Sequence, residues 1–337
     1  MKKTGIRIAA LLLAVLLAGC GSNTETKGEQ LADDEGDYVL EQSAAMDEAT
    51  RTELDAVHGA FEKALAARNA EGIMDHVAAD FGATQGSITS FLESASKEGM
   101  SAYTRYDSYY FKDLTVSDTM IRAKKAPEDE NYISFTPGST EMDITLYQSD
   151  NAEVSQMIAL ICAKRDNAWE IVWIDTSDSR YYGKDAPAIY QLALDAKNNG
   201  KDVLSYVYAQ MLYNVYHPAN ALYYKDDTAM LDLVMERNSW GSKRFPIALE
   251  DGVSKIHTIG IAREKGGVVP MVFVQTSAEI KDAASRQKLA ESVRDEFLKN
   301  NAGIADAFAH ITVRMTNEDV EKATAQVKYE SVVVPTK

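Results

Sequence analysis

The chain has 337 residues, 51 of them acidic and 35 basic, for a formal net charge of −16. That balance argues against nucleic acid or anionic lipid headgroups as partners held by bulk electrostatics. The length suffices for about two domains of ordinary size, each with its own core. In chain order the first feature is a basic start at Lys2, Lys3 and Arg7, then an apolar run from Ile8 to Ala18 that ends in Leu17-Ala18-Gly19-Cys20. The run is too short to span a bilayer and has the layout of an export signal, with small residues before a cysteine.

This spacing resembles the lipobox of bacterial lipoprotein precursors. The resemblance implies cleavage after residues 1–19, diacylglyceryl transfer to the Cys20 thiol, and a mature protein lipid-anchored to the extracytoplasmic face of the cell membrane. Loss of the signal removes three bases and no acid, which leaves 32 bases against 51 acids, a charge of −19. With Cys20 acylated, Cys162 has no partner for an intramolecular disulfide, and its place in the apolar run Met157–Ala163 marks it as a small buried hydrophobe. Residues 20–46 are acidic and poor in apolar side chains, as expected of a disordered tether. The carboxylates of Asp33-Asp34-Glu35-Gly36-Asp37 superficially suggest a calcium loop, but the twelfth loop position is Ala44 and flanking helices are missing.

Residues 47–180 read as helices first and an antiparallel meander after. Leu54, Val57, Phe61, Ala64 and Leu65 make the apolar stripe of a long first helix. A short helix carries Ile73, Met74 and Val77, and a third candidate runs from Ser87 to about Lys97. Beyond Gly99 the period changes: Tyr106–Phe111 is dense in aromatics, and Met142, Ile144 and Leu146 alternate with Asp143, Thr145 and Tyr147. Val154–Ala163 is apolar on both faces, as a central strand would be. Asp166-Asn167 turns the chain into a last strand on which Trp169, Ile171 and Trp173 share one face. This order, with the last-strand pattern Asn167-Ala168-Trp169-Glu170-Ile171-Val172-Trp173, resembles the nuclear transport factor 2-like superfamily. The resemblance implies a cone in which a curved sheet wraps the long first helix and leaves a pocket open at one end.

Residues 181–337 read as a second α+β domain, a helical hairpin followed by a ββαβ-type unit. Asp185 caps a helix with Pro187 in its first turn, Gly200 ends it, and Lys201–Tyr216 forms the next. A third helix starts at Asp226-Asp227 and ends near Arg237-Asn238. Strands are expected at Ile256–Arg263 and Val268–Gln275, a long helix at Ala278–Lys299, and two more strands around Ala309–Met315 and Val327–Val333. The fold class is therefore α+β throughout.

No phosphate-binding glycine loop, zinc motif or nucleophile elbow is present, so no catalytic residue, metal site or cofactor is assigned. His58 on the first helix would be a base only if Tyr103, Tyr106, Tyr109 or Asp107 faced it across a pocket. On the second-block helix, Tyr206, Gln210, Tyr213 and His217 fall at i, i+4, i+7 and i+11 beside the aliphatic face. Two roles suit that stripe: a recognition surface for an envelope protein or small ligand, or a roof over the junction of the two domains. The sequence thus reads as a non-catalytic, lipid-anchored binding protein. The alternatives are an enzyme using a polar pocket of the first domain, or a solute-binding lipoprotein, for which the alternating β-α-β pattern of two doubly wound lobes is missing.

Overall fold

A computed structural model describes residues 37–39, 46–95, 102–126, 128–264, 267–323 and 326–337. The signal segment, Cys20 and most of the expected tether lie outside the described residues. Within that tether Asp37–Val39 is a strand, β1. The body then begins with helix α1 (Glu48–Ala67), where the Asp47 carboxylate accepts the Thr50 N–H at 2.8 Å and supplies an N-cap. Helices α2 (Ala70–Met74) and α3 (Gln85–Ala95) follow. The strands β2 (Tyr103–Phe111), β3 (Ile121–Lys124), β4 (Asn131–Phe135), β5 (Met142–Ser149), β6 (Val154–Arg165) and β7 (Ala168–Tyr181) complete the first block. Four of them form an antiparallel sheet in the order β2-β5-β6-β7.

In the second block, α4 (Ala186–Asn198) is capped by Asp185, and Gly200 at φ +69° lets the chain turn out of it. Then come α5 (Asp202–Val215), β8 (Leu222–Tyr224), α6 (Asp227–Arg244), β9 (Ile247–Ala248), β10 (Ser254–Glu264) and β11 (Gly267–Thr276). Helices α7 (Ala283–Asn300) and α8 (Ile304–Ala307) precede β12 (His310–Thr316) and β13 (Glu330–Pro335). The sheet order is β13-β12-β11-β10-β9, with β11 and β12 parallel and joined by the α7 crossover. α7 starts at Ala283 rather than Ala278 because Asp282 is its cap, accepting the Ser285 N–H at 2.9 Å. α6 runs past Asn238 to Arg244, since Trp240 and Gly241 lie against Tyr206.

The α+β class holds, and period two on β6 explains its architecture. Ile158, Leu160 and Cys162 join Tyr147, Trp169 and Ile171 in a core under α1–α3. Met157, Ala159, Ile161 and Ala163 face the other way, into a core shared with Val207 and Leu212 of α5 and Val272 of β11. The two blocks are further stitched by a third sheet, β1-β3-β4-β8, in which β8 of the second block pairs with β4 of the first, Tyr132 opposite Tyr223. Tyr182 donates to the Val268 carbonyl at 2.7 Å, and Arg263 on β10 pairs with Asp178 on β7.

Three expectations change. Asp37–Val39 is strand rather than free tether: it pairs in parallel with Arg122–Lys124 and satisfies the outer edge of β3. Asp143, Thr145 and Tyr147 are as buried as Met142, Ile144 and Leu146, because both faces of β5 are covered. Trp173 does not share a face with Trp169 and Ile171. Cys162 pairs with Ile171 but Ile161 pairs with Trp173, so Val172 is an extra residue that rotates the strand. Ile174 then takes the helix-facing place, while Trp173 is left 44% exposed against 6% for Trp169. Trp169→Ala should therefore cost about 3–5 kcal/mol and Trp173→Ala about 0.5 kcal/mol or less, measured by urea denaturation. Equal costs would contradict the bulge.

Candidate functional site

Two clusters of functional side chains stand out, one sealed and one at the surface. The sealed cluster is centred on His58, which α1 points at β5 rather than at β2. Its Nε2 lies 2.9 Å from Asp143 Oδ2 and its Nδ1 lies 2.8 Å from the Tyr147 hydroxyl. Thr145 donates to Asp143 Oδ2 at 2.9 Å, and Ser108 reaches Asp143 Oδ1 at 3.3 Å. The arrangement that satisfies every atom has His58 donating from Nε2 to the carboxylate and accepting at Nδ1 from the phenol. Burial raises the Tyr147 phenol well above its ordinary value and likewise the Cys162 thiol beside it, so both stay protonated.

The residues expected opposite His58 are elsewhere. Tyr103 donates to the Ala95 carbonyl at 2.8 Å, Tyr109 packs in the other core, Asp107 pairs with Lys125, and Arg180 stands over Tyr106. His58, Asp143, Thr145 and Tyr147 are exposed by only 3, 1, 1 and 0%. A base, a carboxylate and a phenol are brought together, yet a substrate would have to part α1 from the sheet to touch them. Loss of any one partner would strand a buried polar atom at about 1–3 kcal/mol, which is the economy of a structural network.

The surface cluster grows from the predicted stripe, which the structure divides. Tyr206 is 7% exposed, packed on Trp240 and Phe245, with its ring only 2.6 Å from where a Cβ on residue 241 would lie, so Gly241 is required there. That residue is a roof between helices. Gln210 donates to Asn238 Oδ1 of α6 at 2.6 Å. Tyr213, 47% exposed, begins a column of rings. It stacks on Tyr216 at 5.9 Å, Tyr216 on His217 at 3.9 Å, His217 meets Tyr223 at 3.9 Å, and Tyr223 stacks on Tyr132 at 5.4 Å. The Arg122 guanidinium closes the inner end, 5.1 Å from the Tyr132 ring.

The turn that sets this column is strained. Buried Ala219 (φ 51°) sits in the left-handed region, where a side chain costs about 1–2 kcal/mol, and the exposed Asn220 (φ 49°) sits there too, a conformation that asparagine tolerates. β7 holds them there: Ser177 Oγ accepts the Ala219 N–H at 2.7 Å, and Asp175 accepts from the Asn220 amide at 2.6 Å. Tyr216 and Tyr223 belong to the tyrosine-dense stretch Tyr206–Tyr224, and Asp227 to the expected start of the third helix of this block. Tyr132, far upstream, carries no such signal.

Asp227 ties the column to α6. It accepts the Tyr132 hydroxyl at 2.6 Å and the Thr228 N–H at 2.7 Å, and His217 Nε2 is 3.6 Å away. Burial works against its ionised form, but the His217 and Tyr132 side chains and the Thr228 N–H outweigh it and bring the carboxyl down to about 2.

Among the described residues no group of three His, Cys, Asp or Glu side chains is placed to hold a metal ion. A separate open groove of about 840 Å³ lies at the ends of β10 and β11, but its Ser254 and Thr276 hydroxyls satisfy each other at 2.8 Å. No protein-family model matches this chain, nor does a curated protein or a solved structure.

A folded-state value below the ordinary 3.8 means that ionised Asp227 stabilises the fold above about pH 4, and that this contribution fades as pH falls toward 2. The stability gap between the parent and Asp227→Asn should thus close as pH falls from about 4 to 2 in urea titrations. A gap independent of pH down to 2 would contradict the assignment.

Proposed function

We propose that this chain is a lipid-anchored protein of the extracytoplasmic membrane face that binds a partner without catalysing a reaction, through the surface around Tyr213. The first block is read as a nuclear transport factor 2-like cone whose interior is filled. Element order supports that reading, as does the edge contact in which Ile171 bonds the backbone of His76 and Ala78 beside α2. The observation that carries the non-catalytic reading is the burial of His58, Asp143, Thr145 and Tyr147, the titratable and hydroxyl groups that a pocket enzyme would need to expose. The binding reading draws on a solvent-facing tyrosine held by a strained turn, a rigid contact of low ordering cost.

The anchor reading rests on the Leu17-Ala18-Gly19-Cys20 spacing. Expression in a bacterial host should give a membrane-bound product whose intact mass shows an acylated N-terminus at Cys20, and Cys20→Ala should accumulate as unprocessed precursor. Release of a chain of unmodified mass into the medium would overturn the anchor. A photo-reactive residue at position 213 should give envelope cross-links on intact cells that the same residue at the exposed position Val333, on the edge strand β13, does not. Identical products from both positions would overturn the binding surface.

A further inference from the structure

We propose that the loop between β2 and β3, through Val116 and Met120, is the part of the body that lies against the lipid surface. The proposal rests on the reading of Cys20 as a lipid anchor and names the side of the fold which that anchor turns toward the bilayer. Strand β1 carries the argument. Asp37, Tyr38 and Val39 pair with Arg122, Ala123 and Lys124, so the anchored chain is held at the outer edge of β3 before it reaches α1. The register sets an acidic position opposite a basic one, a match that a slip by one residue would lose. Between Cys20 and β1 lie residues 21–36, 16 in all, a length of at most about 60 Å when stretched. A chain held only at α1 would be free over residues 21–46, 26 in all, or about 90 Å.

The pairing of β1 with β3 is parallel, so the anchored chain leaves from the Arg122 end of the pair, where β3 begins at Ile121. Met120, the residue before it, is 53% exposed, and the same loop carries Val116, 57% exposed. The loop is tied down at this end of the sheet. The Leu114 N–H donates to the Thr140 carbonyl at 3.0 Å and the Ser117 N–H to the Pro137 carbonyl at 3.1 Å. Pro137 lies two residues beyond Phe135, which is the partner of Ile121 on β4. Two large apolar side chains thus meet water where the anchored chain departs. Across Lys112–Arg122 the bases Lys112 and Arg122 match the acids Asp113 and Asp118, so this end lacks the negative excess of a chain of charge −16. A neutral tip with apolar side chains suits a zwitterionic phospholipid surface. Alone it is too small to hold a free protein there, but the anchor supplies the local concentration at which a weak contact forms.

The test places the full lipid-anchored chain in phosphatidylcholine vesicles that contain nitroxide lipids, with an environment-sensitive fluorophore on one introduced cysteine. Cys20 is acylated on this reading and Cys162 is buried, so neither takes the label. Labels at Val116→Cys and Met120→Cys should be quenched and shifted to shorter wavelength, and a label at Val333→Cys on β13 should be neither. Any result in which positions 116 and 120 are not both quenched more than 333 would overturn the proposal. The role of β1 is read in unlabelled protein. Asp37→Cys/Arg122→Cys, opposite each other across strands about 5 Å apart, should close a disulfide on mild oxidation, and Asp37→Cys/Lys124→Cys should not. An open in-register pair, or equal closure of both pairs, would remove the strand on which the proposal stands. Flotation separates the two readings: a chain that fails to float with the vesicles loses the anchor and the proposal together, whereas a floating chain without quenching loses the proposal alone.

Discussion

The structure depends on one strand that has no wet side. From Val154 to Ala163 every residue of β6 is buried, and from Met157 onward successive side chains enter different cores. A fully buried Ile or Leu contributes about 1.5–3 kcal/mol, and that gain is lost on whichever face is left uncovered. Helices α1–α3 cover one face. The other is completed by α5 and the strands beyond it, so residues 181–337 do not merely follow the first block in sequence but close its sheet.

Closure on both faces also decides where chemistry can occur. With β5 beside β6 and its residues 142–147 equally buried, Asp143, Thr145 and Tyr147 cannot reach water and must find partners inside. His58 satisfies that demand. The same requirement that makes the interior stable keeps these groups from water, while at the outer rim the turn after α5 is held by β7.

Much of the fold was legible because it obeys local rules. The apolar stripe of α1, the Asp185 cap with Pro187, the Asp166-Asn167 turn at positive φ and the two-sided apolarity of β6 can all be read without a neighbour. What was hidden depends on pairing. The Val172 bulge is a register step between β6 and β7, and it alone separates Trp173 from Trp169. The stripe Tyr206, Gln210, Tyr213, His217 was visible as helical spacing, but only the path of α6 buries Tyr206 under Trp240 and leaves Tyr213 outside. The partners of His58 lie 85 and 89 residues away, on a strand whose alternation of polar and apolar residues looked half-exposed.

If one two-sided strand joins both cores, the molecule unfolds as a unit. Native-state amide hydrogen exchange measures this most directly, because the slowest amides report the opening that exposes them. The amides of Ile158–Ala163 on β6 and of Val272–Val274 on β11 should exchange with the same free energy and the same denaturant dependence, both equal to those of global unfolding. Exchange of β6 through a cheaper opening that leaves β11 protected would contradict the shared core, and with it the sealing of the His58 cluster.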